Sequence, residues 1–267
     1  MIPCNRRKIG KSPRSIDFPI GKRYDKIMKI IEKILKKQSA LSQHPAITIG
    51  VLGDSVSQGC FECYLTSEEK IETVFDAASS YATRLKETLN LLYPRVQFNL
   101  INAGISGDNA QGGLKRIDRD ILAYHPDLVI LAFALNDATT GMDGIQKYKA
   151  AMSEMIKKVT ESGAECIVLT PNAMNTEVSC HLKEKPFIKL AKSLERIQND
   201  GILDAYAQAA REVAKQEGAL LCDVYAKWKN MIEAGVNVTD LLANYLNHPI
   251  RQMHYLTATM LCDCILK

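Results

Sequence analysis

The chain has 267 residues, 46% of them hydrophobic and 24% charged, a balance that supports a sizeable core and excludes a disordered or fibrous protein. No apolar run approaches the roughly 18 residues of a membrane span, and the N-terminal stretch MIPCNRRKIGKSPRS carries charges without an apolar h-region, so neither stable membrane insertion nor a secretory signal is expected and the expected location is the cytoplasm. The net charge of +4 belongs to one arm, since residues 1–37 hold twelve Lys/Arg against three acids and the rest is net acidic; nucleic acid is not an expected partner.

Residues 1–45 read as a basic N-terminal extension. Within it Tyr24, Ile27, Met28, Ile31, Ile34 and Leu35 recur at helical spacing, which predicts an amphipathic helix over 22–37 with one face to bury. From residue 46 to 267, short β-branched runs alternate with longer segments of helical period. Strands are expected at 47–53, 96–103, 127–135, 165–171 and 219–224. Helices are expected at 77–92, 111–124, 144–161, 201–217, 225–234 and 250–265. Five parallel strands covered on both faces make an α/β fold, a three-layer α/β/α sandwich. The stretch 172–200 is too long for a simple connection and is expected to run over the carboxyl edge of the sheet. The eight cysteines, at 4, 60, 63, 166, 180, 222, 262 and 264, are few for this length and are expected to be mostly reduced thiols.

Ligands of open α/β sheets bind outside the carboxyl ends of the strands, and three expected strand tips carry small or polar residues: Gly53-Asp54-Ser55, Asn102 to Asp108, and Ala134 to Asp137. Ser55 is placed as a nucleophile, with Gly53 and Gly59 permitting a tight turn around it. A turn or N-cap serine is the alternative. Among the five histidines, His44 and His125 precede strands at the wrong edge, His181 lies in the long excursion, and His254 sits inside the last expected helix. His248, at a loop-to-helix junction before Pro249, is the remaining candidate for the base.

These residues resemble the SGNH hydrolase family, also called GDSL. G-D-S-x-x-x-G of its first block matches Gly53 to Gly59, N-A-G-I-S-G-D supplies the second block, A-L-N-D the third and N-H-P the last. The resemblance implies a flavodoxin-like sandwich and a serine esterase or acylhydrolase with catalytic Ser55 and His248. It also implies an oxyanion hole made by the backbone amides of Ser55 and Gly107 and the side chain of Asn136. Its partner would be a small-molecule acyl ester, an acetyl ester before others, and it calls for no cofactor and no metal. The oligomeric state is left open. A non-catalytic carbohydrate- or lipid-binding module on the same scaffold is the alternative.

Two positions depart from the family. Ala134 stands where a glycine usually precedes the asparagine by two, which is expected to tighten the site. Tyr245 stands where an acid usually precedes the histidine by three. Asp240, Asp223 and Asn244 are candidate substitutes; a Ser–His dyad, with a backbone carbonyl or water holding His248, is the preferred expectation. Rival chemistries are poorly supported. The loop after Gly53 lacks the lysine of a phosphate-binding loop, and Cys60-x-x-Cys63 has no second pair of suitable spacing for zinc, which leaves it as two loop thiols.

Overall fold

A computed structural model of the chain describes residues 28–68 and 70–267. The first apolar run becomes β1 (Ile47–Gly53), which pairs in parallel with β4 (Phe98–Gly104) on one side and β5 (Leu128–Ala132) on the other. β6 (Glu165–Leu169) and β7 (Leu220–Cys222) continue the sheet, giving the order β4-β1-β5-β6-β7. Each expected strand is present, and those at 127–135, 165–171 and 219–224 end earlier than the apolar runs suggest. Residues beyond Ala132 and Leu169 are still buried, so their hydrophobicity reports the core under the loops as well as the ladder.

Two cores form because alternate residues of a strand face opposite sides. Leu52 packs on one face with α4 (Ala110–Asp120), α5 (Ile145–Glu161), α6 (Lys185–Asn199) and α7 (Ile202–Glu217). Ile49 and Val51 pack on the other with α1 (Lys29–Ser39), α3 (Tyr81–Leu92), α8 (Val224–Glu233) and α9 (Arg251–Ile265). This is a three-layer α/β/α sandwich with a parallel five-stranded sheet. No helix among the described residues is long and apolar enough to cross a membrane.

The helix expected over 22–37 is found as α1 from Lys29; residues 22–27, with Tyr24 and Ile27, lie outside the described residues. Its Ile30 and Ile34 are fully buried in the second core, whereas Leu35, expected on the same face, is exposed. Glu165 fixes the start of α1 by accepting from the N–H groups of Lys29 and Ile30 at 2.9 and 2.8 Å, a carboxylate at a helix N-terminus where the dipole favours it.

Two elements are not legible as periodicity. Residues 60–75 form an antiparallel hairpin, β2 (Cys60–Leu65) and β3 (Ile71–Phe75), outside the main sheet, so Cys60 and Cys63 are strand residues and not loop thiols. The 172–200 excursion contains α6, which starts with Pro186 in its first turn, a position where proline costs no hydrogen bond.

Candidate functional site

Ser55 opens α2 (Ser55–Gln58), a single turn that begins two residues after β1. Asp54 caps that turn by accepting from Val56 N–H at 3.0 Å, and Gly59 ends it at φ 91°. The turn can fold back this tightly because Gly53 has no side chain: a Cβ there would collide with Ser57 and with the Ala132 carbonyl. The N–H of Ser55 itself, at the very start of α2, has no intrahelical acceptor.

His248 is carried to this turn by the segment between α8 and α9. Asn244 organises that segment: its Oδ1 accepts from the N–H groups of Leu246, Asn247 and His248, each at 3.0 Å. The His248 ring then lies between two groups, with Nε2 3.0 Å from Ser55 Oγ and Nδ1 3.0 Å from the carbonyl oxygen of Phe61. A carbonyl only accepts, so Nδ1 carries the proton and Nε2 is left to accept from the serine hydroxyl. Ser55 and His248 are 4% and 5% exposed. Burial holds the His248 pKa below its ordinary 6.5, against a smaller upward pull from the Phe61 carbonyl, so the ring is neutral and able to take a proton near pH 7.

The second and third tips end the two strands that flank β1 in the sheet. Gly107 adopts φ 78°, a left-handed conformation that glycine enters freely, and Asn136 follows β5 at the next strand tip. Asn136 Nδ2 donates to the Asp108 carbonyl at 2.7 Å. An amide nitrogen has two protons, so one remains for a ligand. Arg116, buried and not singled out by the sequence, braces the first and second tips: its guanidinium meets Asp108 at 2.7 Å and the Gly53 carbonyl at 3.1 Å.

Ala134 does more than tighten the third tip. Its φ is 143°, backbone that L-residues avoid and glycine accepts, at a cost of order 1–3 kcal/mol. Two acids beneath the site are shifted upward, Asp54 to about 7 and Asp137 to about 6, chiefly by burial and also by neighbouring carboxylates. A small cavity of about 30 Å³ is lined among others by Asp54, Ser57, Tyr81 and Thr170, and Ser55 does not line it.

None of the substitutes considered for the missing acid is bonded to the His248 ring. Asp223 caps α8 through Ala226 N–H at 3.1 Å and pairs with Arg211 at 2.8 Å. Asp240 accepts from the Asn237 side chain at 3.1 Å, and Asn244 holds the backbone of the segment. Tyr245 takes φ 56° and stacks on His181, ring centroids 5.1 Å apart. His254, in contrast, is buried in α9, where its Nδ1 accepts from Tyr81 N–H at 2.9 Å and burial lowers its pKa to about 3. The carbonyl of Phe61 is legible in the sequence only as a class of partner, since a backbone group leaves no residue-type signal.

The sequence profile of the GDSL-like lipase/acylhydrolase family matches residues 51–256. An acetylxylan esterase of Geobacillus stearothermophilus is 18% identical over 191 residues, which cover 68% of this chain and 78% of that protein. An arylesterase of Vibrio mimicus is 30% identical over 119 residues, 45% of this chain and about half of its own length, at 52%. Among solved structures, a lipase/acylhydrolase from Enterococcus faecalis is similar with a TM-score of 0.59 at 19% identity, covering 81% of this chain and 94% of that one. The crystal structure of the acetylxylan esterase from Geobacillus stearothermophilus gives 0.60 at 20% identity, with 82% and 94% covered. At these identities the structural likeness is one of fold.

Proposed function

Because the chain belongs to the GDSL-like lipase/acylhydrolase family, whose members hydrolyse ester bonds, we propose that it is a serine esterase that removes a small acyl group, acetyl in preference to longer chains, through a Ser55–His248 dyad. The observation that carries this reading is the single ring that joins Ser55 Oγ to His248 Nε2 at 3.0 Å while its other nitrogen donates to a carbonyl.

In that mechanism Ser55 Oγ attacks the ester carbonyl as its proton passes to His248 Nε2. The oxyanion receives hydrogen bonds from the N–H groups of Ser55 and Gly107 and from Asn136 Nδ2, donors held in place before reaction. The imidazolium returns its proton to the leaving alkoxide, which departs and leaves an acyl group on Ser55. Water, deprotonated by the now neutral ring, attacks the acyl-enzyme, and as the acid departs the ring returns that proton to Ser55 Oγ. The preference for acetyl rests on the acetylxylan esterase named above as a relative and on the low aromatic content of the chain, 6%, which offers little stacking surface.

Rates on a series of p-nitrophenyl esters from acetate to decanoate test this reading. Highest kcat/KM on acetate, abolished by Ser55→Ala, is expected. A maximum at the medium-chain esters, roughly eight carbons or more, would overturn the acetyl preference and leave the dyad intact.

A further inference from the structure

The carbonyl that holds His248 comes from an irregular point of the hairpin. β2 and β3 pair Cys60 with Phe75 and Cys63 with Thr73, and the register shifts between Cys60 and Cys63. Phe61 and Glu62 occupy that shift. A bulge releases backbone groups from the ladder and re-aims them, which is what allows the Phe61 carbonyl to face His248 Nδ1 in place of a strand partner.

A released carbonyl is only as well placed as whatever pins the bulge, and one side chain does this. Arg251, first residue of α9 and three residues after His248, grips Glu62 with two nitrogens at 2.6 and 3.2 Å and reaches Asp76 with Nε at 2.9 Å. Its guanidinium lies over the Phe61 ring, 4.2 Å from the centroid. Phe61 is fully buried, and its ring also meets the His254 ring, centroids 4.9 Å apart. Asp76 is itself tied to the turn of the nucleophile, donating its N–H to the Gly59 carbonyl at 2.8 Å.

We propose that Arg251 is a positioning residue for the Ser55–His248 pair, acting through Phe61, and that the Arg251–Glu62–Asp76 cluster takes over the orienting part of the role played elsewhere by a triad carboxylate. This inference rests on the dyad reading above. Both ends of the Phe61–His248 hydrogen bond are linked by one planar fork, which loses less freedom on binding a carboxylate than a flexible ammonium would. A single half-exposed ion pair is worth little, but a bidentate pair, a second carboxylate and a cation–π contact on one guanidinium form a network. The cluster sets one guanidinium against two carboxylates and keeps a net negative charge, but both carboxylates bond to Arg251 and Nδ1 bonds to the Phe61 carbonyl, so the cluster fixes the ring without supplying a carboxylate to Nδ1.

Arg251→Met, Arg251→Lys and Glu62→Gln test it, with kcat, KM, the melting temperature and the low-field proton resonance of His248 Nδ1–H measured in each. Partners that orient a metal-ligating histidine through its second ring nitrogen typically cost about 10- to 100-fold in affinity or activity when removed, and the like orienting role of Arg251 sets the same scale. Arg251→Met is expected to lower kcat by about that factor with KM within about twofold, and to shift or broaden the Nδ1–H resonance. Arg251→Lys restores part of the loss, because the charge returns without the fork. Should Arg251→Met fail to fold, Glu62→Gln, which breaks the bidentate pair at almost constant shape, carries the same direction of change. An unchanged kcat in the folded variants, or a fall in kcat with the His248 resonance unmoved, overturns the proposal. His248→Ala separates the two readings: activity surviving that change defeats the dyad, whereas activity lost there but kept in Arg251→Met and Glu62→Gln defeats only the clamp.

Discussion

Phe61 and His248 stand 187 positions apart in the chain and meet through one hydrogen bond, Nδ1 to carbonyl oxygen at 3.0 Å. A neutral carbonyl fixes the tautomer as a carboxylate would, but it does not offset the charge of an imidazolium. Orientation and charge stabilisation, joined in a triad, are separated at this site.

The first consequence is a pH profile. Protonated His248 is unable to take the Ser55 proton, so activity is lost as pH falls through the pKa of the ring. Burial lowers that pKa from 6.5 and no carboxylate on Nδ1 raises it. The acid limb of kcat/KM is therefore expected below pH 6.5. A limb at or above about 7, near the value for a histidine paired with a carboxylate, would show that an acid reaches the ring.

The second concerns those acids. Asp240→Asn and Asp223→Asn are each expected to cost less than about tenfold in kcat, against roughly 10⁴ when a triad aspartate becomes an amide. For Asp223→Asn the effect should appear in thermal stability, because the side chain pairs with Arg211. Steady-state kinetics with a parallel melting curve distinguishes the two.

Asn136→Ala removes one side-chain donor. Loss of such a donor costs roughly 10²- to 10³-fold in kcat, with KM little altered. The same change frees the Asp108 carbonyl, bonded at 2.7 Å, so a modest fall in melting temperature should accompany it. A rise in KM alone would mean that Asn136 binds substrate without stabilising the oxyanion.

Ala134→Gly is expected to stabilise the protein. Relief of the φ 143° conformation is worth about 1–3 kcal/mol, against about 0.5–1 kcal/mol for the added freedom of the unfolded chain. The net gain of about 1 kcal/mol corresponds to a rise of roughly 2–4 °C, readable by calorimetry.

Much of the sheet was legible because parallel strands buried on both faces are written as continuous β-branched runs, as in ITIGVLG and DLVILAFAL. The Ser55–His248 pair, which the structure joins at 3.0 Å, was legible because Ser55 sits at a strand tip and His248 at a loop-to-helix junction. The hairpin at 60–75 was not, since its strands expose Tyr64, Ile71, Val74 and Phe75 and show no clean alternation. For the same reason the bulge and the Phe61 carbonyl were hidden: a backbone acceptor has no residue type to read. Arg251 and Arg116 were missed because buried or bridging arginines look like surface charge until their partners, distant in sequence, are brought beside them.

The most direct measurement of the central claim is covalent labelling. A fluorophosphonate probe requires a serine activated by its base, and Ser55 is the hydroxyl placed 3.0 Å from His248 Nε2. Intact-mass analysis is expected to find one adduct, peptide mapping to place it on Ser55, and Ser55→Ala and His248→Ala each to abolish it. An adduct that persists in Ser55→Ala, or that maps to another residue, would contradict the account.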